Sequence, residues 1–284
     1  MDVDEFRREY MAEIEKATRG SGSSEFVLMS NATGTAASLT RNPHWIHNEI
    51  ALFRDETQST EVRLAALRNV QTATFMGPGF APYRAAQMDA LRAVALQDPD
   101  QDVRRPALEI LAMEKDDVAR QLLLTGVDDP GKAVVPIAKA VQLLAHDDHG
   151  VAIPLAHKVV AGQFDVGAKE EALRVLAADL GAGDLFARIM MDRAQPPQLR
   201  SISASSLREV DPTKFEELAR KIVVDDGEND EVRANCLGAL DHLQGYSSKA
   251  DPTFTDSLSK LDLTGTSEGL RSAASRYLKM RSVE

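Results

Sequence analysis

Three histidines near the middle of the chain form its densest group of residues that could bind a metal ion. His146 and His149 stand three positions apart with two aspartates between them, and His157 follows eight positions later. Imidazole and carboxylate groups are common ligands of zinc and iron in proteins. This spacing matches no established metal motif, however, and acidic residues are frequent in turns between helices. We therefore predict no metal and no other cofactor, and name these three histidines as the candidates if a metal were bound.

A second pair of histidines flanks Trp45, the one tryptophan in the chain. His44 and His47 are separated by about one helical turn. We expect Trp45 and Ile46 to plug the N-terminal end of the fold, because both side chains are large and apolar, while the two histidines face outward. A functional contact made by the histidines is the alternative.

No arrangement of residues in the sequence is typical of an enzyme active site. It contains no nucleophile elbow, phosphate-binding loop or zinc-protease motif, and the Gly-x-Gly stretches at residues 77–79 and 181–183 are too short for a dinucleotide-binding fingerprint. The single cysteine, Cys236, lies in an apolar helical pattern and can form no disulfide within the chain. We therefore expect no catalytic residues, a protein that is not an enzyme, and a reducing, cytoplasmic location.

Six basic residues recur along the chain at a nearly constant interval. Each is followed, three and four positions later, by small or apolar residues. The intervals are 31 to 41 residues if the 65 residues between the second and third are counted as two periods, and such periods are typical of helical repeat proteins. These anchor residues are Arg63, Arg104, Lys169, Arg200, Arg233 and Arg271.

The anchor residues have two interpretations. A guanidinium forms bidentate pairs with carboxylates, which suits a joint repeated between neighbouring modules. Asp100, Asp102 and Asp230 are close enough in sequence to serve as such partners. We expect this structural ladder, while cations presented to an acidic partner are the alternative.

The elements that position these residues are predicted to be helices. Aromatic residues make up only 5% of the chain, and a second amphipathic stretch precedes the anchor helix in each period, as at residues 83–96 and 215–224. Short turns with acidic residues, Gly or Pro join the two. Pro106, Pro136 and Pro154 fall inside predicted helices, which they should bend.

The Asp-rich turn followed by Val-Arg-x-x-Ala-Leu resembles the HEAT repeat, in particular the short bacterial variety found in phycobilisome-lyase-type repeats. The resemblance covers roughly residues 44 to 281, strongly around Arg63, Arg104 and Arg233 and loosely elsewhere. It implies an all-α fold, namely a right-handed α-solenoid of about six to seven two-helix repeats. In such an armadillo-like solenoid the second helices line a concave face.

The first 43 residues depart from the repeat. An amphipathic helix is predicted at residues 4–18, where Phe6, Tyr10 and Ile14 form one apolar stripe. We expect this helix to cap the array or to dock onto another surface.

Two parts of the chain are therefore predicted. Residues 1–43 hold the N-terminal helix, a flexible Gly/Ser linker at 20–24 and a cap segment, and 44–284 form the HEAT-like repeat domain. The sequence allows helix, strand or loop at 25–43.

Charge and architecture together predict the class of partner. The net charge is −11, with 33 Lys and Arg against 44 Asp and Glu, which opposes binding to nucleic acid. No apolar run is long enough to span a membrane. We expect a non-enzymatic scaffold, adaptor or complex subunit that binds another protein on its concave face. The predicted contacts on the second helices are Arg68, Glu109, Arg174 and Arg208.

Three families of HEAT-like enzymes give alternatives by resemblance. Phycobilin lyase subunits attach or isomerise bilins on tetrapyrrole-carrying proteins, and alkylpurine DNA glycosylases use a basic concave face with aromatic residues near the lesion. The acidity of this chain disfavours the second. Deoxyhypusine hydroxylases hold metal through repeated His-Glu dipeptides, and this sequence contains none, which sets that activity aside.

Overall fold

The computed structural model describes residues 45–147, 149–243, 252–265 and 267–281. Every regular element within these ranges is an α-helix or a 3-10 helix, so the all-α prediction is confirmed for them. The predicted N-terminal helix, its linker, His44 and the predicted boundary between the two parts of the chain lie outside the described residues. No helix in the described ranges is long and apolar enough to cross a membrane.

The chain divides into two compact units, Met1–Ala119 and Arg120–Glu284. The described helices of the first unit are α1 (Trp45–Arg54), α2 (Thr60–Ala73), α3 (Arg84–Gln97) and α4 (Gln101–Met113). Helix α1 packs on α2 and α3 packs on α4, while α1 contacts α3 and α2 contacts α4. Two helix pairs are thus stacked in two layers, with the first helices in one layer and the second helices in the other.

The second unit repeats this arrangement. Helix α5 (Asp117–Asp128) spans the boundary between the units. It is followed by α6 (Ile137–Asp147), α7 (His149–Ala161), α8 (Val166–Leu176), α9 (Gly183–Met191), α10 (Pro197–Val210), α11 (Pro212–Val224), α12 (Asp230–Asp241), α13 (Pro252–Thr264) and α14 (Glu268–Arg281). The second helices α6, α8, α10, α12 and α14 contact one another in series, and so do the first helices α9, α11 and α13.

Acidic turn residues start many of these helices. The side chain of Asp100 accepts a hydrogen bond from the backbone N–H of Asp102 at 2.9 Å, and Asp165 accepts one from Ala168 at 2.8 Å. Such caps satisfy amide groups that have no partner inside the helix. The acidic turns seen in the sequence are therefore helix N-termini.

A small residue lies three positions after every anchor and is buried. A small side chain at this position allows the first and second helices of a pair to approach closely. A larger side chain would overpack the buried site. The residues at this position are Ala66, Ala107, Ala172, Ser203, Cys236 and Ala274.

The prediction that three prolines lie within helices is wrong for one of them. Pro106 lies inside α4 and Pro154 inside α7, but Pro136 precedes α6. Its carbonyl oxygen accepts the first hydrogen bond of that helix, from Ala140 N at 3.0 Å. A residue before proline is disfavoured in the helical conformation, so Val135 stays outside α6 and the helix starts after Pro136.

Candidate functional site

Four of the six anchor residues, all arginines, make the same contact with the preceding helix. Each donates its Nε–H to a backbone carbonyl oxygen near the C-terminus of the first helix in its own pair. The last carbonyl groups of a helix have no hydrogen-bond donor within the helix, and they carry partial negative charge. A cationic donor such as arginine therefore supplies the hydrogen bond and also interacts favourably with that charge. These bonds are Arg63 to Phe53 at 3.0 Å, Arg104 to Ala95 at 3.1 Å, Arg200 to Met190 at 2.9 Å and Arg233 to Val223 at 3.0 Å.

Two of these arginines also reach the turn of the next helix pair. Arg63 forms a bidentate pair with Asp98, in which Nη1 lies 3.0 Å from Oδ1. Arg200 forms a bidentate pair with Glu228, with distances of 2.6 and 2.5 Å. The side chains of all four residues are almost fully buried. Each pair therefore joins one helix pair to its neighbour.

The Arg200–Glu228 pair changes the acidity of the carboxyl group. The hydrogen bonds from Arg200 hold the pKa of Glu228 below its ordinary value, although burial acts in the opposite direction. Arg193 adds a longer contact of 3.6 Å from the surface side. Glu228 is therefore ionised and paired at neutral pH.

The remaining anchors differ from this arrangement. Arg233 pairs with Asp226 at 3.1 Å and Asp230 at 3.6 Å, which lie beside its own helix. Arg271 donates to the carbonyl oxygen of Gly265 at 2.7 Å. Lys169 is half-buried on α8 and makes no such contact among the described residues.

The predicted carboxylate partners take other roles in part. Asp230 contacts Arg233, as noted, but Asp100 accepts a hydrogen bond from the Thr60 hydroxyl and caps α4. That bond to Thr60 is the main reason why the pKa of Asp100 is lowered. Sequence analysis missed Asp98 and Glu228. Their signal was an acidic residue one repeat length after an anchor, at 35 and 28 residues.

The candidate metal ligands are not brought together in the described part of the chain. His146 is exposed on α6, and His157 Nε2 lies 3.1 Å from Asp179 Oδ2. The side chain of His149 lies outside the described residues. No group of three or more His, Cys, Asp or Glu side chains is placed to hold a metal ion in the ranges that the structure describes.

His47, at the start of α1, is exposed as expected, and its ring also contacts a neighbouring aromatic side chain. The ring of His47 packs edge-on against the ring of Tyr83, with centroids 4.8 Å apart. Ile46 is buried, while Trp45 is only half-buried. The first turn of α1 therefore lies beside the start of α3.

The four residues predicted to contact a partner all lie on second helices. In the first unit, Arg68 is exposed on α2 and Glu109 is half-buried on α4. In the second unit, Arg174 is exposed on α8 and Arg208 is half-buried on α10. Helices α8 and α10 are in contact, so the latter two residues lie on neighbouring helices of one layer.

An exposed apolar segment was not recognised from the sequence. Residues 74–83, here called the apolar insert, connect α2 to α3 and contain no charged residue. Phe75 is 91% exposed and Met76 is 47% exposed, whereas Phe80 is buried with 3% exposure. Gly77 adopts a φ of 60°, which favours glycine. The available signal was ten uncharged residues at a position where shorter acidic turns join most other described helices.

Glu49 on α1 is a buried carboxyl group. Its Oε2 accepts a hydrogen bond from Asn69 Nδ2 on α2 at 3.1 Å, and its Oε1 has no donor among the described residues. Burial raises the pKa of Glu49 to about 7, although the bond from Asn69 acts in the opposite direction.

Comparisons with known proteins give a likeness to a solved structure. No protein-family model and no curated protein matches the chain. Among solved structures, the chain is similar to human deoxyhypusine hydroxylase in complex with glycerol. The sequence identity is 14% and the TM-score 0.35, and the match covers 87% of this chain and 99% of the other.

This comparison corrects one expectation. The prediction that the protein is not an enzyme is contradicted, because the structure to which it is similar is that of an enzyme. The missing motifs were the basis of that prediction, but an active site assembled from separate repeats leaves no compact motif in a sequence. At this TM-score the likeness assigns no reaction to the chain.

Replacing Arg200 tests the joint between helix pairs. Arg200→Met should lower the free energy of unfolding by about 3–5 kcal/mol, because it leaves the buried Glu228 carboxylate without its bidentate partner, with only the backbone N–H of Asn229 and the longer contact to Arg193. The Met190 carbonyl also loses its donor. Urea unfolding followed by circular dichroism measures the loss.

Two further variants control this test. Arg174→Met removes an exposed arginine and should change the free energy of unfolding by no more than about 0.5 kcal/mol. Arg200→Met combined with Glu228→Met should recover much of the loss, since no unpaired charge remains. Equal losses in Arg200→Met and Arg174→Met would contradict the assignment.

Glu49 predicts a pH dependence of stability. Because its pKa is raised from 4.5 to about 7 in the folded state, the folded chain binds more protons between these values. Stability is therefore highest below pH 4.5 with respect to this group and is lost as the pH rises towards 7. The rise in the pKa of Glu49 corresponds to about 3 kcal/mol in the free energy of unfolding, because a change of one unit in pKa is worth about 1.36 kcal/mol.

Glu49→Gln should remove this dependence. We expect the free energy of unfolding of the unmodified chain to fall by about 3 kcal/mol relative to Glu49→Gln between pH 4.5 and 8. Trp45, the single tryptophan, lies one turn from Glu49 on α1, so its fluorescence reports unfolding locally. If the free energy of unfolding depended on pH in the same way in both chains, the pKa of Glu49 would not be raised in the folded state.

Proposed function

We propose that the chain is a HEAT-like repeat protein that binds a protein partner, as a scaffold, an adaptor or a subunit of a complex. Each unit carries its own part of the proposed binding site, here called the second-helix surface: the outward side chains of α2 and α4 in the first unit, and those of α8 and α10 in the second. Its predicted contacts are Arg68, Glu109, Arg174 and Arg208.

The distribution of ion pairs in the second unit carries this proposal. Three cations on first helices and turns pair with carboxylates of another helix or turn: Lys158 with Asp128 at 2.5 Å, Lys214 with Asp184, and Arg193 with Asp225. These links connect successive helix pairs. The described ion pairs of Arg174 and Arg208 on the second-helix surface differ in that each forms within a single helix.

Cations on the second-helix surface pair with glutamates of their own helix. Arg174 lies 3.2 Å from Glu170 and 3.1 Å from Glu171, and Arg208 lies 2.7 Å from Glu209. Exposed pairs within one helix contribute only about 0.3–0.5 kcal/mol. A carboxylate of a partner can therefore replace these glutamates without loosening the stack of helices. Lys158, Lys214 and Arg193 lack this freedom because they hold neighbouring helix pairs together.

Charge reversal on α8 tests the proposed surface. Arg174→Glu should reduce capture of the partner from native host lysate at least about tenfold, because a repelled carboxylate costs 1.4 kcal/mol or more. The captured protein is quantified by mass spectrometry after affinity purification of the tagged chain.

Lys221→Glu is the matched control. Lys221 is also exposed and also pairs with a glutamate four residues earlier, Glu217 at 2.6 Å, but it lies on the first helix α11. Capture should be retained in this variant, and both variants should keep the circular dichroism spectrum of the unmodified chain. If both variants captured the same amount of partner, the second-helix surface would not be the binding site.

A further inference from the structure

The apolar insert is held in place although much of its surface is exposed. Phe80 is buried, and its ring lies 6.1 Å from that of Tyr83, which in turn packs on His47. The insert contacts both α2 and α3. Pro78 and Pro82 further restrict its backbone. Because the insert is already ordered, binding to it loses less conformational entropy than binding to a flexible loop would.

The exposed side chains make this surface unfavourable in water. Phe75 is almost fully exposed, Met76 is half exposed, and Pro78 and Pro82 are also exposed. Isolated apolar side chains on a surface are ordinary, but several in one uncharged segment are typical of a contact site. A binding segment should therefore present apolar side chains of its own.

The chain that precedes α1 enters the first unit beside this surface. Trp45 begins α1, and the ring of His47, two residues later, lies against Tyr83 at the end of the insert. The 44 residues before Trp45 therefore join the fold next to the insert.

A segment of the right chemistry lies within that stretch. Residues 4–18 carry the stripe Phe6, Tyr10 and Ile14. The connection from residue 19 to residue 44 has a root-mean-square span of about 30 Å if flexible, which exceeds the length of α1, about 15 Å. The stripe can therefore reach the insert, and a tether of this length gives an effective concentration of about millimolar.

We propose that the amphipathic segment at residues 4–18 docks its Phe6/Tyr10/Ile14 stripe on the apolar insert at Phe75 and Met76. The segment is then a cap on the first unit, bound to its own chain. This inference is independent of the partner proposed for the second-helix surface.

Cysteine labelling of the full chain tests the contact directly. Met76→Cys places a thiol in the insert and leaves Phe75 in position. The native Cys236 is buried, and burial raises the pKa of its thiol to about 12, so it reacts far more slowly with a maleimide. The labelling rate of Met76→Cys is measured in the full chain and in the chain without residues 1–24.

Leu180→Cys supplies the matched control. Leu180 is 82% exposed and lies in the second unit, away from the insert in sequence. Deleting residues 1–24 should raise the labelling rate of Met76→Cys at least about fivefold and leave that of Leu180→Cys unchanged. Phe6→Ser combined with Tyr10→Ser should reproduce the deletion in the full chain, which excludes an effect of chain length.

Three results would overturn the inference. The first is an equal labelling rate for Met76→Cys with and without residues 1–24. The second is protection that rises with protein concentration, since it would place a second copy of the chain on the insert. The third is protection that appears only when host lysate is added, which would assign the insert to another protein.

Discussion

The carbonyl groups at the ends of the first helices set the constraint from which the helix pairs are built. The residues that carry them, such as Phe53 and Met190, are buried, so water cannot supply the missing hydrogen bond. An arginine on the following helix donates this hydrogen bond, and its positively charged guanidinium is buried as a result. A buried cation needs a carboxylate, which Asp98 and Glu228 provide from the next turn. One unmet hydrogen bond thus leads, step by step, to a joint between modules.

The sequence predicted the helices and the anchors but not the complete joint. The small residue three positions after each anchor and the acidic caps follow local rules, which one period of the sequence already contains. The partner of Arg63 lies 35 residues away and that of Arg200 lies 28 residues away, so no fixed spacing identifies them. Pro136 was misplaced because the apolar residues before it continue the helical spacing of the residues after it. The apolar insert was missed because its glycines and prolines suggested only a turn.

The two kinds of surface on this fold differ in how their polar groups are used. On the first helices and turns, the ion pairs of Lys158, Lys214 and Arg193 connect separate elements and so stabilise the stack of helix pairs. On α8 and α10 the arginines Arg174 and Arg208 lie against glutamates of the same helix. The candidate site therefore rests on the strength of existing contacts rather than on a cavity or a group of catalytic side chains. Sequence analysis could select these residues by helix position, but it could not show which cations are held by other elements.

The differing locations of the anchor carboxylates bear on how such a protein can change by duplication. Asp98 follows the last residue of α3, Glu228 lies within the turn before α12, and Arg233 uses aspartates beside its own helix. In a copied or transplanted helix pair, the anchor arginine would not find a carboxylate at the required position in the adjacent pair. It would then be a buried charge without an ion-pair partner. Lengthening or shortening this protein by whole modules should for that reason require compensating changes at each new junction, so its repeats are individually fitted parts.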